Sequence, residues 1–301
     1  MEKKNIVGYY QVSSKENSYF ALRVIFSILI YAGIASALVM LPKLDPKFSA
    51  VAVVVPLIAY FLIFYIVYNG LFVGLIKTQS VKLGDHQLPE IYKMVKTLSA
   101  SLNIKNTPNT YLIQAGGSLN AFAKKFMGSN YVVIYSDLLE AFYEGNIDAV
   151  EFVVAHELGH IKRNHLWKSL LLFPSALIPF LAPAYNRACE LTCDNIGKFF
   201  NAKGAVDGLL ILAGGKKIAR EINIHVYIDQ NRTDASFWRW FAEKTMSHPA
   251  LYKRLDNVYT SSAAMRRETP KMDAPVETAQ VESSVETPKE KESDYSRYMP
   301  N

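Results

Sequence analysis

The sequence predicts a mainly helical fold with one small β-sheet, an α+β domain that follows an N-terminal helical hairpin able to cross a membrane. Three observations predict it. Two apolar runs, residues 20–42 and 49–76, lie close together near the start of the chain. Three short stretches rich in β-branched and aromatic residues fall between about residues 111 and 135. Almost all the rest up to residue 261 repeats its apolar residues at helical spacing.

The hairpin comes first. Residues 20–42, from Phe20 to Pro42, carry Arg23 as their only charge, and residues 49–76 run from Ser49 to Ile76. Each is long enough for a transmembrane helix, which needs about 20 apolar residues. A short loop with Lys43, Asp45, Pro46 and Lys47 joins them. Ala35-Ser36-Ala37 resembles a signal-peptide cleavage site, but the apolar run exceeds the roughly 7–15 residues of a signal core. Lys3, Lys4, Lys15 and Arg23 lie before or at the start of the first span, and Lys77, Lys82, Lys93 and Lys96 follow the second. The loop holds only Lys43 and Lys47, so the excess of positive charge places both ends of the hairpin in the cytoplasm. The net charge of +6 suits a protein at an anionic membrane surface. The basic residues are scattered rather than clustered, which argues against a nucleic-acid partner. Two cysteines, Cys189 and Cys193, are too few for a disulfide framework.

The organisation expected is therefore a cytoplasmic N-terminal segment 1–19, a transmembrane hairpin 20–76, a domain 77–261 and a disordered tail 262–301. Leu88-Pro89-Glu90 opens an amphipathic helix whose buried face is Ile91, Met94, Val95, Leu98 and Leu102. The strand candidates are Tyr111–Ile113, Leu119–Ala123 and Tyr131–Tyr135. A helix starts at Ser136, another spans about 146–165, and one follows at about 186–200. Further helices are expected at about 204–213, 216–225, 234–245 and 249–260. From residue 262 Pro, Glu, Lys, Ser and Thr dominate and aromatic residues nearly vanish, the composition of a disordered tail.

The helix at 146–165 carries the chemistry. His156-Glu157-Leu158-Gly159-His160 reads H-E-x-x-H. Residues four apart share a helix face, so His156 and His160 can offer nitrogens to one metal ion with the Glu157 carboxylate beside it. Two neutral nitrogens and an adjacent base are what a zinc hydrolase needs. Asn146 is placed to cap this helix, and Ile147, Val150, Val154, Leu158 and Ile161 give it a buried face. The alternative is a surface helix that happens to carry these residues.

A catalytic zinc usually has three protein ligands and an open position. His165 follows His160 by five residues, which turns it away from the ligand face of a continuous helix. A second helix beside the first could aim Glu190 at the metal. Asp194, one turn on, could accept the free N–H of a ligand histidine. On spacing alone a solvated face explains Glu190 and Asp194 equally well. Cys189 and Cys193, four apart, read as small buried residues rather than ligands.

At this point the chain resembles the membrane-bound gluzincin peptidases typified by the HtpX heat-shock protease and the CAAX prenyl proteases. The resemblance runs over about residues 78–260 and rests on four pieces in order: Asn120-Ala121-Phe122-Ala123, the H-E-x-x-H, Glu190 with Asp194, and Ser247-His248-Pro249 followed by Arg254. The chain departs from the family in having Cys189 and Cys193 beside Glu190, and in showing fewer obvious spans. The resemblance implies a zincin-type metalloprotease domain with one zinc per chain, held by His156, His160 and Glu190. It makes Glu157 the general base, His248 the oxyanion donor, and Asp194 with Arg254 the groups behind the ligands. It implies that Asn120 to Ala123 form an edge strand that pairs with an extended substrate.

The implied function is a zinc endopeptidase of a bacterial inner or cell membrane, with its site facing the cytoplasm. Its partners would be polypeptide substrates and the lipid bilayer, and its task the removal of damaged membrane proteins. The alternatives are a processing protease for a lipidated or membrane peptide, and a non-catalytic zinc-binding membrane scaffold. One stretch needs a special path. Trp167 to Tyr185 is apolar, with Pro174, Pro179 and Pro183, and with aromatic residues at both ends suited to a membrane interface. A single crossing would put about 30 Å of hydrocarbon between His160 and Glu190. Residues 166–185 are thus expected as a re-entrant or membrane-surface hairpin, the alternative being a hairpin buried in the protein.

Overall fold

The structure is a computed structural model, and it describes residues 10–44, 50–114, 116, 120–233 and 236–268. Two long helices open it, α1 (Ser14–Leu44) and α2 (Ala50–Gln79). A four-stranded sheet follows, formed by β1 (Val81–Lys82), β2 (Asn109–Ile113), β3 (Ala121–Phe126) and β4 (Ser129–Tyr135), with α3 (Pro89–Ser101) between β1 and β2. The remainder is helical: α4 (Ser136–Tyr143), α5 (Ile147–Lys162), α6 (His165–Leu171), α7 (Leu181–Phe200), α8 (Ala202–Ile218), α9 (Ile224–Thr233), α10 (Phe237–Thr245) and α11 (Leu251–Glu268). The mainly helical α+β class read from the sequence is what the chain adopts.

The first 27 residues of α1, Ser14–Met40, and Val54–Gln79 of α2 are long and apolar enough to cross a membrane. At about 1.5 Å per residue each exceeds the roughly 30 Å hydrocarbon core. Their apolar side chains point outward, with Leu29, Phe61 and Ile63 each about 60% exposed. Such surface is stable only against lipid or another apolar partner.

The sheet runs β1-β2-β4-β3, antiparallel at both outer pairs and parallel between β2 and β4. Side chains alternate across a strand, and β4 uses both faces. Val132 and Ile134 join the main core with α3, α5 and α8, while Tyr131 and Val133 pack with Val73 and Ile76 of α2. The end of α2 is thereby fastened to the back of the sheet. The other face carries α5, which is buried along most of its length.

Several boundaries differ from those read from the sequence. Helix α1 begins at Ser14, inside the segment expected to be a free N-terminus, because its first turns pack on α7. Strand β1 was not expected; two residues carry no readable periodicity. Of the second strand candidate, Leu119 lies outside the described residues and Asn120 precedes the strand. Asn146 does precede α5, but its side chain makes no capping hydrogen bond. The helix stops at Lys162, not at 165, because Asn164 takes a left-handed conformation (φ 55°) and starts α6 afresh.

Residues 166–185 form no span. They are α6, a 3₁₀ turn at Phe173–Leu177, and the first turn of α7, so the chain returns at once. Tyr185, read as an interfacial aromatic, is fully buried beside Phe20 and His165. The break expected between the helices at 204–213 and 216–225 falls at Gly215 (φ 77°), but the second stretch is divided between the end of α8, a 3₁₀ turn at Ala219–Glu221 and the start of α9. Helix α11 runs six residues past the expected start of the tail; residues 269–301 lie outside the described part.

Candidate metal centre

The site forms where α5 and α7 cross. Their close approach needs Gly159: a Cβ there would lie 3.1 Å from Ile196 Cδ1 and 3.2 Å from Cys193 Sγ. The crossing brings Glu190 of α7 against both histidines of α5. His156 Nε2 lies 3.3 Å from Glu190 Oε2, and His160 Nε2 lies 3.3 Å from Glu190 Oε1. These spacings can be tested against a metal. A tetrahedron with bonds of about 2.0–2.1 Å has edges of about 3.3–3.4 Å. Each contact has the length of one such edge, one to each oxygen of Glu190, and the donor types are those zinc takes.

The other nitrogen of His156 is held from behind. Nδ1 lies 2.9 Å from Asp194 Oδ1. Asp194 in turn receives Arg254 through two hydrogen bonds, Nε to Oδ2 at 2.8 Å and Nη2 to Oδ1 at 2.7 Å. Burial acts to raise the Asp194 carboxyl, but Arg254 and His156 outweigh it and bring it down to about 2. Burial likewise works against the Glu190 carboxylate, and the two histidines hold it well below the usual range. Burial would lower His156, yet Asp194 and Glu190 carry it up to about 10. A histidine that keeps a proton between two carboxylates marks a place built for positive charge, which a cation fills in the proton's stead.

His160 has an equivalent support that spacing did not reveal. Its Nδ1 lies 3.2 Å from His165 Nδ1. His165 Nε2 lies 3.2 Å from Glu16 Oε1, and Glu16 also takes Nη2 of Arg163 at 2.8 Å. Burial keeps His165 neutral, down to about 4. Both helices matter here: the break at Asn164 swings His165 back behind His160, and α1 brings Glu16 into the core. The buried Glu16 was visible only as an acid in the polar segment before an apolar run.

A second arrangement around the histidines has to be weighed. His156, His160 and Cys193 also offer ligand atoms within 4.8 Å of one another, as do Glu16, His165 and Cys189. Both cysteines are free and buried. A thiolate, not a thiol, binds metal; burial pushes Cys193 well above its ordinary value and Cys189 up to about 12. Glu16 is already paired with a guanidinium. The Glu190 carboxylate is held well below the usual range by the two histidines and faces the open cleft, so the Glu190 set is the better fit.

That cleft, about 330 Å³, is lined by His156, Glu157, His160, Glu190, His248 and Arg254 on one side and by Asn120 to Ala123 on the other. Glu157 sits half-buried in it. Loss of water raises its carboxyl, while His156 and His160 pull the other way. His248 stands on the loop before α11, its side chain 60% exposed, with Nε2 3.6 Å from Glu190 Oε1 and Nδ1 3.0 Å from Ser247 Oγ. Strand β3 is one edge of the sheet, and β1 is the other. Tyr135 N–H bonds the Asn120 carbonyl, so by antiparallel alternation Phe122 and Lys124 spend their backbone groups on β4 while Ala121 and Ala123 turn theirs outward. The Asn120 side chain caps the Ala121 amide at 2.9 Å, and the Ala123 amide acts on the Glu157 carboxylate. Every site residue singled out in the sequence lies at this one cleft or directly behind it.

Residues 85–178 match the model of Peptidase family M48. The plastoglobule-localized metallopeptidase 48, chloroplastic, of Arabidopsis thaliana is 28% identical over 200 residues, covering 56% of this chain and 56% of that protein. The chain thus spans about half the length of the curated relative it matches. The crystal structure of S. mikatae Ste24p overlaps 83% of this chain and 67% of its own, at a TM-score of 0.41 and 14% identity.

Proposed function

We propose, from the M48 peptidase match over residues 85–178 and the geometry above, that this chain is a membrane-anchored zinc endopeptidase that cleaves membrane or membrane-associated polypeptides. The observation that carries the reading is the pair of 3.3 Å contacts between Glu190 and the Nε2 atoms of His156 and His160. One zinc per chain would be held by these three residues. When bound, zinc supplies Lewis acidity, making a water acidic enough to attack at neutral pH and polarising the carbonyl under attack.

The protein does the rest. An extended substrate lies along β3 and donates to the outward carbonyls of Ala121 and Ala123, which suits capture that tolerates many sequences. Glu157 takes the proton of the attacking water and returns it to the leaving nitrogen; burial lifts its carboxyl toward the pH at which such a shuttle works. His248, across the cleft mouth, donates to the oxygen that becomes negative. Asp194 and Arg254 fix the tautomer and tilt of His156, and His165 with Glu16 do the same for His160. The membrane is the one α1 and α2 cross, with both ends of the hairpin and the cleft in the cytoplasm of a bacterial cell. The short return of residues 166–185 beside α1 would hold the cleft at the membrane face. There, removal of damaged membrane proteins is the task the site fits best.

Zinc content and proteolysis of purified variants test the reading. Glu157→Gln should keep one zinc per chain and lose cleavage of an unfolded protein substrate. Glu190→Ala should lose zinc. Full zinc and full activity in Glu190→Ala would hand the third position to Cys193 or another group.

A further inference from the structure

Helix α10 has its polarity turned inside out. A helix on a water-soluble surface buries its apolar face and shows its polar one. In α10, Phe237, Trp238, Trp240 and Phe241 cover one side and are 62%, 75%, 51% and 39% exposed. No residue of the helix is buried. The side turned to the protein is the polar one. Arg239 lies over the Tyr252 ring at 4.9 Å and donates to Asn231 Oδ1 at 3.1 Å. Glu243 accepts from Tyr252 and pairs with Lys253 of α11. At the end of the helix Arg187 of α7 clamps the carbonyls of Lys244 and Met246 at 2.9 and 2.7 Å. The aromatic rings meanwhile stack on one another, Phe237 on Phe241 at 6.2 Å, as a preformed surface.

The place of this surface along α1 says what covers it. Phe241 meets Phe180 edge to face at 6.0 Å. Phe180 lies in sequence midway between Ser175, which accepts from Arg23, and Tyr185, which packs on Phe20. A little farther along α1, Tyr31 donates to the Leu171 carbonyl. The aromatic face therefore stands level with the first turns of the apolar run of α1. Leu171, Phe173 and Leu177, in the stretch of chain that leads to Phe180, are also exposed, at 62%, 70% and 75%. Phe and Trp over a polar face with cations beside them is the make-up of a helix lying in the headgroup zone of a bilayer.

We propose that α10 is an interfacial membrane helix whose Phe237, Trp238, Trp240 and Phe241 enter the same lipid leaflet that α1 crosses at its Phe20–Arg23 level. This rests on the reading of α1 and α2 as membrane spans. It has a consequence for the cleft: the chain leaves α10 at Met246 and reaches His248 two residues later. The seat of α10 in lipid thus sets the height of the loop that bears His248.

Tryptophan quenching in nanodiscs of brominated lipid tests the proposal on the full chain. In a Trp167→Phe variant only Trp238 and Trp240 emit. Their emission should be lost with lipid brominated near the headgroup end of its chains, and less so with lipid brominated near the methyl end. A control replaces all three tryptophans by Phe and adds Leu62→Trp in α2. If the control is quenched and Trp238 and Trp240 are not, α10 faces water or another protein and the proposal falls. If the control is not quenched either, the spanning helices fail, and the proposal with them.

Discussion

His156 has both ring nitrogens engaged, one toward Glu190 and one toward Asp194, and that double engagement gives the fully buried Asp194, paired with the partly buried Arg254, its role. Removing one partner of such a set leaves the other charged and alone. Asp194→Asn should lower zinc affinity by about 10–100-fold, as loss of a ligand's supporting acceptor does, read by competition with a chelator. The same variant carries a pH signature. The Asp194 carboxyl is depressed in the fold to about 2 from an ordinary value near 3.8. A depressed acid stabilises the fold above its unfolded pKa, and the gain is lost as pH falls through the folded one. In metal-free protein, wild type should exceed Asp194→Asn in stability by about 2 kcal/mol near neutrality. That gap should close as acid protonates the carboxylate; a gap constant with pH would assign Asp194 to packing alone. His248→Ala should keep its zinc and lower kcat on the order of 10²-fold, as loss of one oxyanion donor does. An unchanged kcat would remove His248 from the chemistry. His156, Glu157 and His160 were legible from helical spacing, whereas spacing left Glu190 and Asp194 open and only the family resemblance singled out His248 and Arg254. His165 was set aside as a ligand, but its place behind His160 was not legible, because the spacing argument takes the helix as continuous and a left-handed Asn164 resets it.

Elements show the same pattern of success and failure. The helices with one strong apolar face, α3 and α5, could be read to within a few residues, as could the strands β2 and β4. What failed were some of the breaks. The break read at Gly214-Gly215 is there, but the helix expected after it, at 216–225, is cut again by a 3₁₀ turn at Ala219–Glu221 before α9 starts at Ile224. Polarity also misled, since α1 was taken as a free segment until its apolar run began. Its first turns instead carry Glu16 to His165 and Arg23 to the Ser175 hydroxyl and the Leu172 carbonyl, all inside protein. This makes α1 a structural support of the metal centre. His165→Phe keeps the ring volume but cannot hydrogen-bond. Zinc affinity should fall by about tenfold or more, while thermal stability in zinc-saturated protein stays close to wild type. Equal affinity would leave His165 as packing.

On the scale of the whole molecule, hydropathy saw two long apolar helices but could not say where lipid ends and protein begins. The first turns of α1 and the last turns of α2 are both protein-facing: Phe20 lies against Tyr185, and Val73 and Ile76 lie against the sheet. Both ends of the hairpin are therefore anchored to one domain. A domain on one side of a bilayer can hold both ends only if the two helices cross in opposite directions. Residue 43, at the far end of α1, must then lie on the other side from Asp85, Asn164 and Asn186. On the orientation proposed from the counts of Lys and Arg, that far side is outside the cell. Single cysteines at Lys43, Asp85, Asn164 and Asn186, in a chain with the buried Cys189 and Cys193 replaced by Ala, make the arrangement measurable. An impermeant thiol reagent should reach only the Lys43 site in intact cells, and the other three only after lysis. Labelling of Lys43 together with Asp85 would sink the hairpin. Labelling of Asn164 and Asn186 from opposite sides would separate α5 from α7, and with them His160 from Glu190, leaving no metal centre to anchor.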